Sequence, residues 1–339
     1  MPKNIVIFSD GTGQEGGKGA NTNIYKLYNM VEDRTPNQIS FYDPGLGTGF
    51  RKLTGSVGGA GISENIQQCY SFIFNNFEAG DQIYLFGFSR GAATVRSLSS
   101  FIHYFGILPK ARPDLIKQAY KIYKIADEQK RKSAADEFIA KHHTMWTKIK
   151  FIGCFDTVAA LGIPVKPLSL LINEIPWFQH SFHNFKLSES VENAYHALSI
   201  DDERKTFHPI LWNEKQKLTH QNINQVWFCG MHTDIGGGYD RHELSDIALI
   251  WMRDKAKEHN LLIYSESSVC YKDNPIGFMH NSRDSFWTKL YRKKCREINP
   301  EMIDKPIIHQ SVLERSECSS IAKYKPWILN LDYDIEKQA

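Results

Sequence analysis

Cysteine is scarce: six residues (Cys69, Cys154, Cys229, Cys270, Cys295, Cys318) are dispersed through 339 positions, with no C-x-x-C pair. That spacing excludes the dense disulfide framework of small secreted domains and makes reduced thiols the expectation. No run approaches the roughly 20 apolar residues of a membrane-spanning helix. The start, MPKNIVIFSDGTG, has neither the apolar length nor the small-residue cleavage site of a secretory signal, so cytoplasmic synthesis is expected. An excess of one charge is also lacking: 41 Lys+Arg against 38 Asp+Glu leave +3, too little for the concentrated field of a dedicated nucleic-acid binder. No repeat, linker or low-complexity stretch interrupts the chain. One elaborated domain over residues 1–339 is therefore expected, with an insertion or lid at 163–187 and a C-terminal elaboration at 262–339.

Five short apolar runs rich in β-branched and aromatic residues, at 5–8, 39–42, 82–88, 150–155 and 225–229, read as strands buried on both faces. Helical patterns separate most of them, which is the signature of β-α-β crossovers, a mainly parallel sheet and helices on both faces. Asn21 or Asn23 is expected to cap a helix through Val31, and Ser63 to open one carrying Ile66, Tyr70, Ile73, Phe74 and Phe77. Residues 114–145 read as a lysine-rich surface helix or helical pair. The proline-broken apolar stretch 163–185 has the composition of a flap, with Leu170, Leu171, Ile175, Trp177 and Phe178 facing either a lipid surface or the sheet. The run 286–296 mixes aromatics with five positive charges, fitting a solvated helix face or an anionic lipid surface.

The chemistry concentrates at Gly87-Phe88-Ser89-Arg90-Gly91, a G-x-S-x-G pattern directly after an expected strand and before an expected helix. Gly87 and Gly91 would let strand and helix backbones close around Ser89, and the Arg90 N–H would face a developing oxyanion. A serine hydroxyl needs a base oriented by an acid. His232 combines a strand end with a glycine-rich loop, HTDIGGGYD; His196 and His208 are alternatives that read as lying on a helix and the turn after it. Asp156 ends the fourth expected strand and completes the chain order Ser, Asp, His of α/β-hydrolases. Asp234 competes as the acid, with Asp201 and the helix-capping candidate Asp246 behind it. The loop Ser9-Asp10-Gly11-Thr12-Gly13 would add a second oxyanion N–H from Gly11 or Thr12, ordered by Asp10, if the first strand lies beside the nucleophile strand.

Rival motifs are weaker. Gly11, Gly13 and Gly16 fit G-x-G-x-x-G, but GGKGAN follows where a dinucleotide fold begins its helix. An aspartyl-phosphate loop would place its nucleophile at Phe8, and a P-loop would need Ser or Thr at Gly19. Asp10, Asp156, His232 and Asp234 could gather a metal for phosphodiester hydrolysis, and a hydrolase fold could also serve as a non-catalytic binding module. The triad reading needs neither cofactor nor metal.

GFSRGAATVRSL, FIGCFDTVAALG, HALSIDDERKTFHPILW, VWFCGMHTDIGGGY and LSDIALIWM together resemble the uncharacterised α/β-hydrolase family that includes the catalytic domains of bacterial type VI secretion phospholipase effectors. The similarity begins at IVIFSDGTG, includes FYDPGLGTG and runs to IHQSVLER and YKPWIL. The resemblance implies a serine esterase or lipase with Ser89 as nucleophile, Asp156 as acid and His232 as base. It also implies a phospholipid or other ester substrate, peripheral membrane contact and, for an effector exported without a leader, an immunity protein as partner.

Overall fold

Alternation along the first strand sends Ile5 and Ile7 to one side of a sheet and Val6 and Phe8 to the other. The computed structural model describes residues 2–11, 16–17, 19–45, 59–158, 186–264, 269, 271–284, 286–320 and 323–337. Within it, β1 (Asn4–Ser9), β2 (Gln38–Asp43), β3 (Gln82–Phe88), β4 (Ile149–Phe155), β5 (Val191–Ser199), β6 (Asn222–Phe228), β7 (Ile307–His309) and β8 (Asp334–Glu336) form one sheet, in the order β2-β1-β3-β4-β5-β6-β7-β8. Every pairing is parallel, so each connection must cross over, and helices do much of the crossing. These are α1 (Asn23–Met30), α2 (Gly59–Asn76), α3 (Arg90–Phe105), α4 (Asp114–Tyr123), α5 (Glu128–His142), α6 (His232–Gly236), α7 (Glu243–Glu258), α8 (Phe286–Lys289) and α9 (Gln310–Glu317).

One face of the sheet packs Ile5, Ile7, Ile83 and Leu85 against α2, α3, α4 and α5; the other packs Val6, Phe8, Phe86 and Phe151 against α1 and α7. Burying each such side chain contributes about 1.5–3 kcal/mol. On the second face a row of rings crosses the central strands: Phe8–Phe86 at 5.2 Å, Phe86–Phe151 at 5.4 Å and Phe151–Tyr195 at 5.0 Å between centroids. A third cluster, with Trp227, Ile308, Val312 and Ile328, joins β6 to the C-terminal strands.

The α/β class with a parallel sheet and helices on both faces is as expected, but three strands were not. Residues 191–199, expected to be helical around His196, form the central strand β5. Its polar residues are tolerated because each is satisfied: Asn193 Nδ2 donates to Lys150 O at 2.9 Å, and His196 Nε2 accepts from Thr157 N–H at 3.0 Å. The short strands β7 and β8 carry too few residues to show a period.

Helix starts also shift. Thr22, not Asn21 or Asn23, caps α1 by accepting from Tyr25 N–H, while Asn23 Nδ2 bridges Ile235 O and Ser245 O. The second helix opens at Gly59, ahead of Ser63. The basic run is helical only over α8. The expected flap falls outside the described residues except for Lys186 and Leu187, of which Leu187 is buried. Among the described residues no helix is long and apolar enough to cross a membrane.

Candidate active site

In an open parallel sheet, side chains that act on a ligand gather beyond the carboxyl ends of the strands. The strand β3 ends at Phe88 and α3 starts at Arg90, so the whole reversal falls on Ser89, held at φ 57° and ψ −118°. Such a backbone in a non-glycine residue costs on the order of 1–3 kcal/mol and must be held by its surroundings. Ser89 N–H donates to Phe155 O at 3.0 Å. A Cβ at Gly87 would stand 2.5 Å from Gly91 O, and one at Gly91 2.0 Å from Ser9 O, so both glycines are required by the close approach. Arg90 N–H heads α3, where an amide has no intrahelical partner.

Asp156 follows β4 directly, again at positive φ (41°), with its N–H on Ala197 O at 2.8 Å. His232 follows β6 through Cys229-Gly230-Met231, Gly230 taking φ 106°, and begins α6. These three ends converge. His232 Nε2 lies 2.8 Å from Ser89 Oγ, and His232 Nδ1 lies 2.6 Å from Asp156 Oδ2. In the tautomer that donates Nδ1–H to the carboxylate, Nε2 accepts from the serine hydroxyl. The imidazole is held between Phe88 (centroids 4.7 Å) and Phe207 (5.2 Å), and its main-chain N–H donates to Asp202 Oδ2 at 3.2 Å. Ser89 is 9% exposed, His232 5% and Asp156 0%.

Burial alone would push the Asp156 carboxyl up. The Arg296 guanidinium, through its charge and hydrogen bonds, and then His232 outweigh that effect and hold it well below the usual carboxylate range. Arg296 Nη1 lies 2.6 Å from Oδ1 and Nη2 2.8 Å from Oδ2, while Ser199 N–H donates to Oδ1 at 3.0 Å. Arg296 is the residue that sequence reasoning missed, placing it in a solvated or lipid-facing basic run. Asp202 and Phe207 were missed as well.

The remaining expected residues are dispersed. Asp234 turns to His280, with Nδ1 at 2.6 Å from Oδ1, and accepts from Met231 N–H, so it does not meet the His232 ring. His196 is buried within the sheet, and burial pushes its ring down to about 3. His208 Nε2 pairs with Lys294 O. Asp201 accepts from Gly230 N–H and Tyr324 O–H, and Asp246 from Lys26 Nζ and His242 Nδ1. Asp10 is closed by Thr22 Oγ1 at 2.6 Å, Tyr42 Oη at 2.7 Å and Gly11 N–H at 2.6 Å. The first strand does lie beside β3, the strand that leads into Ser89, with Ser9 opposite Gly87. Gly11 N–H is nevertheless committed to Asp10, and Thr12 lies outside the described residues. Of the four residues of the metal alternative, Asp156 and His232 meet each other while Asp10 and Asp234 turn to other partners, and among the described residues no group of three or more His, Cys, Asp or Glu side chains is placed to hold a metal ion.

Comparison with known proteins agrees with this architecture. The uncharacterized protein YEL023C of Saccharomyces cerevisiae is 34% identical over 324 residues, which cover 85% of this chain and 44% of that protein. The solved structure of an uncharacterized protein from Pseudomonas aeruginosa shares the fold, with a TM-score of 0.52 at 16% identity over 77% of this chain and 46% of that one. The chain thus spans less than half the length of either relative. The sheet, its helical layers and the serine turn after β3 make the fold an α/β-hydrolase. The model of the type VI secretion phospholipase effector Tle1-like catalytic domain matches residues 3–255, most of the chain, and the protein belongs to that family.

Proposed function

We propose that the protein is a serine hydrolase of carboxylic esters that acts on lipids, with Ser89, His232 and Asp156 as its triad. The observation that carries this reading is the unbroken Ser89 Oγ–His232 Nε2 and His232 Nδ1–Asp156 Oδ2 contact chain at the carboxyl edge of the sheet. Ser89 Oγ attacks the ester carbonyl while His232 Nε2 takes its proton. Asp156 holds the ring and stabilises the imidazolium. Arg90 N–H donates to the tetrahedral oxyanion; His232 then protonates the leaving alcohol, and water, deprotonated by the same nitrogen, releases the acid from the acyl-enzyme. The lipid substrate class rests on membership of a phospholipase-effector family.

The test is intact-mass labelling with a fluorophosphonate, followed by fatty-acid release from phosphatidylcholine vesicles. One adduct on the wild type, absent in Ser89→Ala and strongly slowed in His232→Ala, is the expected result. A folded wild type that takes no adduct removes the reading. An adduct with hydrolysis of short soluble esters but no release from vesicles removes only its lipid part.

A further inference from the structure

The Asp156 carboxylate meets two side chains, and the reaction above uses only one of them. Arg296 grips it from the other side as a fork, 2.6 Å and 2.8 Å from the two oxygens, so Oδ2 is shared between Arg296 Nη2 and His232 Nδ1. Both side chains of the pair are 0% exposed. The fork is itself fixed: Nη1 donates to Ser199 O and Nη2 to Phe207 O, each at 2.7 Å. Phe207 is the residue whose ring lies against the His232 imidazole. One guanidinium plane therefore references the acid, the end of β5 and one wall of the imidazole slot to each other. Arg296 also lies beyond the family-model match, which ends at residue 255.

We propose that Arg296 is a positioning residue of the hydrolytic site: acting through Asp156, it fixes the plane of the triad carboxylate and keeps it ionised, so the working site includes the segment C-terminal to the family match. This rests on the serine-hydrolase reading above. A carboxylate buried with only an imidazole and one amide N–H would be driven toward its neutral form, which cannot stabilise an imidazolium. A planar fork supplies both charge and orientation, whereas a lysine supplies charge alone. The charged or titratable groups around the carboxylate are His232 from α6, His196 from β5 and Arg296, with Asp201 and Asp202 acting on Arg296 from behind. Arg296 is the group that opposes protonation of Asp156 most strongly, ahead of His232.

The test is the second-order rate of fluorophosphonate labelling from about pH 4 to about pH 8 for the full chain, Arg296→Lys and Arg296→Met, with circular dichroism on each. In the wild type the acid limb is expected to be a single-proton limb, because the carboxylate does not titrate in this window. Arg296→Lys is expected to label at least about tenfold more slowly while folded. Arg296→Met is expected to move the acid limb up by about one pH unit or more, as the carboxyl regains its proton. A folded Arg296→Lys with the wild-type rate and profile overturns the proposal, as does a second wild-type ionisation near the ordinary carboxylate value of about 4. If Arg296→Met does not fold, the lysine variant and the wild-type limb decide. A wild type that is never labelled removes the serine-hydrolase reading and this inference with it; a labelled wild type with unaltered Arg296 variants removes this inference alone.

Discussion

Substituting alanine for Gly91 should damage stability and reactivity together, for one geometric reason. The second residue of α3 passes directly over the end of β1, and an added Cβ would stand 2.0 Å from Ser9 O, 2.5 Å from Ser9 C and 2.6 Å from Asp10 O. These are backbone atoms, so no rotamer change relieves the overlap; the start of α3 must lift from β1 by about 1 Å or more in a close-packed interior. Overpacking costs typically 1–3 kcal/mol, and with backbone on both sides the upper end, about 3 kcal/mol, is expected. Ser89 and Arg90 N–H move with the helix start, and a misplacement of about 1 Å costs on the order of 10²-fold in rate. Gly153→Ala is the control. Its Cβ would meet Met252 Sδ at 2.7 Å, Phe86 Cδ1 at 2.8 Å and Phe151 Cε1 at 3.0 Å, side-chain rather than backbone atoms and away from Ser89, so a smaller cost of about 1–2 kcal/mol and a labelling rate within a few-fold of wild type are expected. Urea unfolding at unchanged m-value gives the stabilities, and fluorophosphonate labelling gives the rates. If Gly91→Ala unfolds within about 0.5 kcal/mol of Gly153→Ala and labels like the wild type, the close-approach account of this elbow is wrong.

Burial, against hydrogen bonds from Ser9 and Asn65, pushes Asp43 at the end of β2 up to about 6. The native state then binds more protons than the unfolded chain above the ordinary value of about 3.9, so stability falls as pH rises from about 4 to about 6. Asp43→Asn keeps an acceptor for Ser9 Oγ and should remove a fall on the order of 2 kcal/mol. Asp201, also pushed up to about 6 by burial, keeps its own share, as do Asp10, Asp234 and Glu214, which burial raises as well, so urea unfolding across this range should show a shallower slope that does not vanish; an unchanged slope would count against the assignment. Asp156→Asn leaves the Arg296 charge buried without its carboxylate and should cost about 3–5 kcal/mol, while Asp156→Asn combined with Arg296→Met should cost less than the sum of the two singles. Strict additivity in that cycle would mean the pair is uncoupled. Lys26→Met breaks the buried contact from α1 to Asp246 on α7, 2.7 Å long. Because His242 Nδ1 and Lys272 N–H still hold that carboxylate, the lower end of the range for a broken buried pair, about 3 kcal/mol, is expected from denaturant unfolding.

What was legible in the sequence was local. The apolar runs at β1, β3 and β4 announce themselves because both faces of those strands are covered, by α2 and α3 on one side and α1 and α7 on the other. The strand β5 is equally central but carries Asn193, His196 and Ser199, whose burial depends on partners in β4, the loop after it and β6. Side-chain satisfaction across strands is a property of the assembled sheet, so no periodicity within 191–199 reports it. The same holds for Thr22, chosen over Asn21 and Asn23 as the α1 cap. Asn23 is drawn instead into bridging Ile235 and Ser245, more than two hundred residues away.

The site divides along the same line. Ser89, Asp156 and His232 each follow a strand of recognisable composition, so their convergence could be reasoned from a parallel sheet alone. In the basic run, by contrast, Lys293, Lys294 and Arg296 look alike in sequence, and the structure separates them sharply. Lys293 pairs with Glu203 and Lys294 with Glu297, both lysines well exposed, while Arg296 is fully enclosed. The sorting is done by an extended crossing: Lys205 N–H donates to Arg292 O and Lys294 N–H to Glu203 O, pinning the segment against the β5–β6 connection. Beyond that contact Cys295 is exposed and Arg296 is buried. The need for such a residue was nevertheless written at Asp156. A carboxylate placed directly after the buried run FIGCF loses its water, and hydrogen bonds or charge beyond one imidazole must offset that loss. Local pattern states that requirement; only the fold shows that a residue 140 positions away meets it.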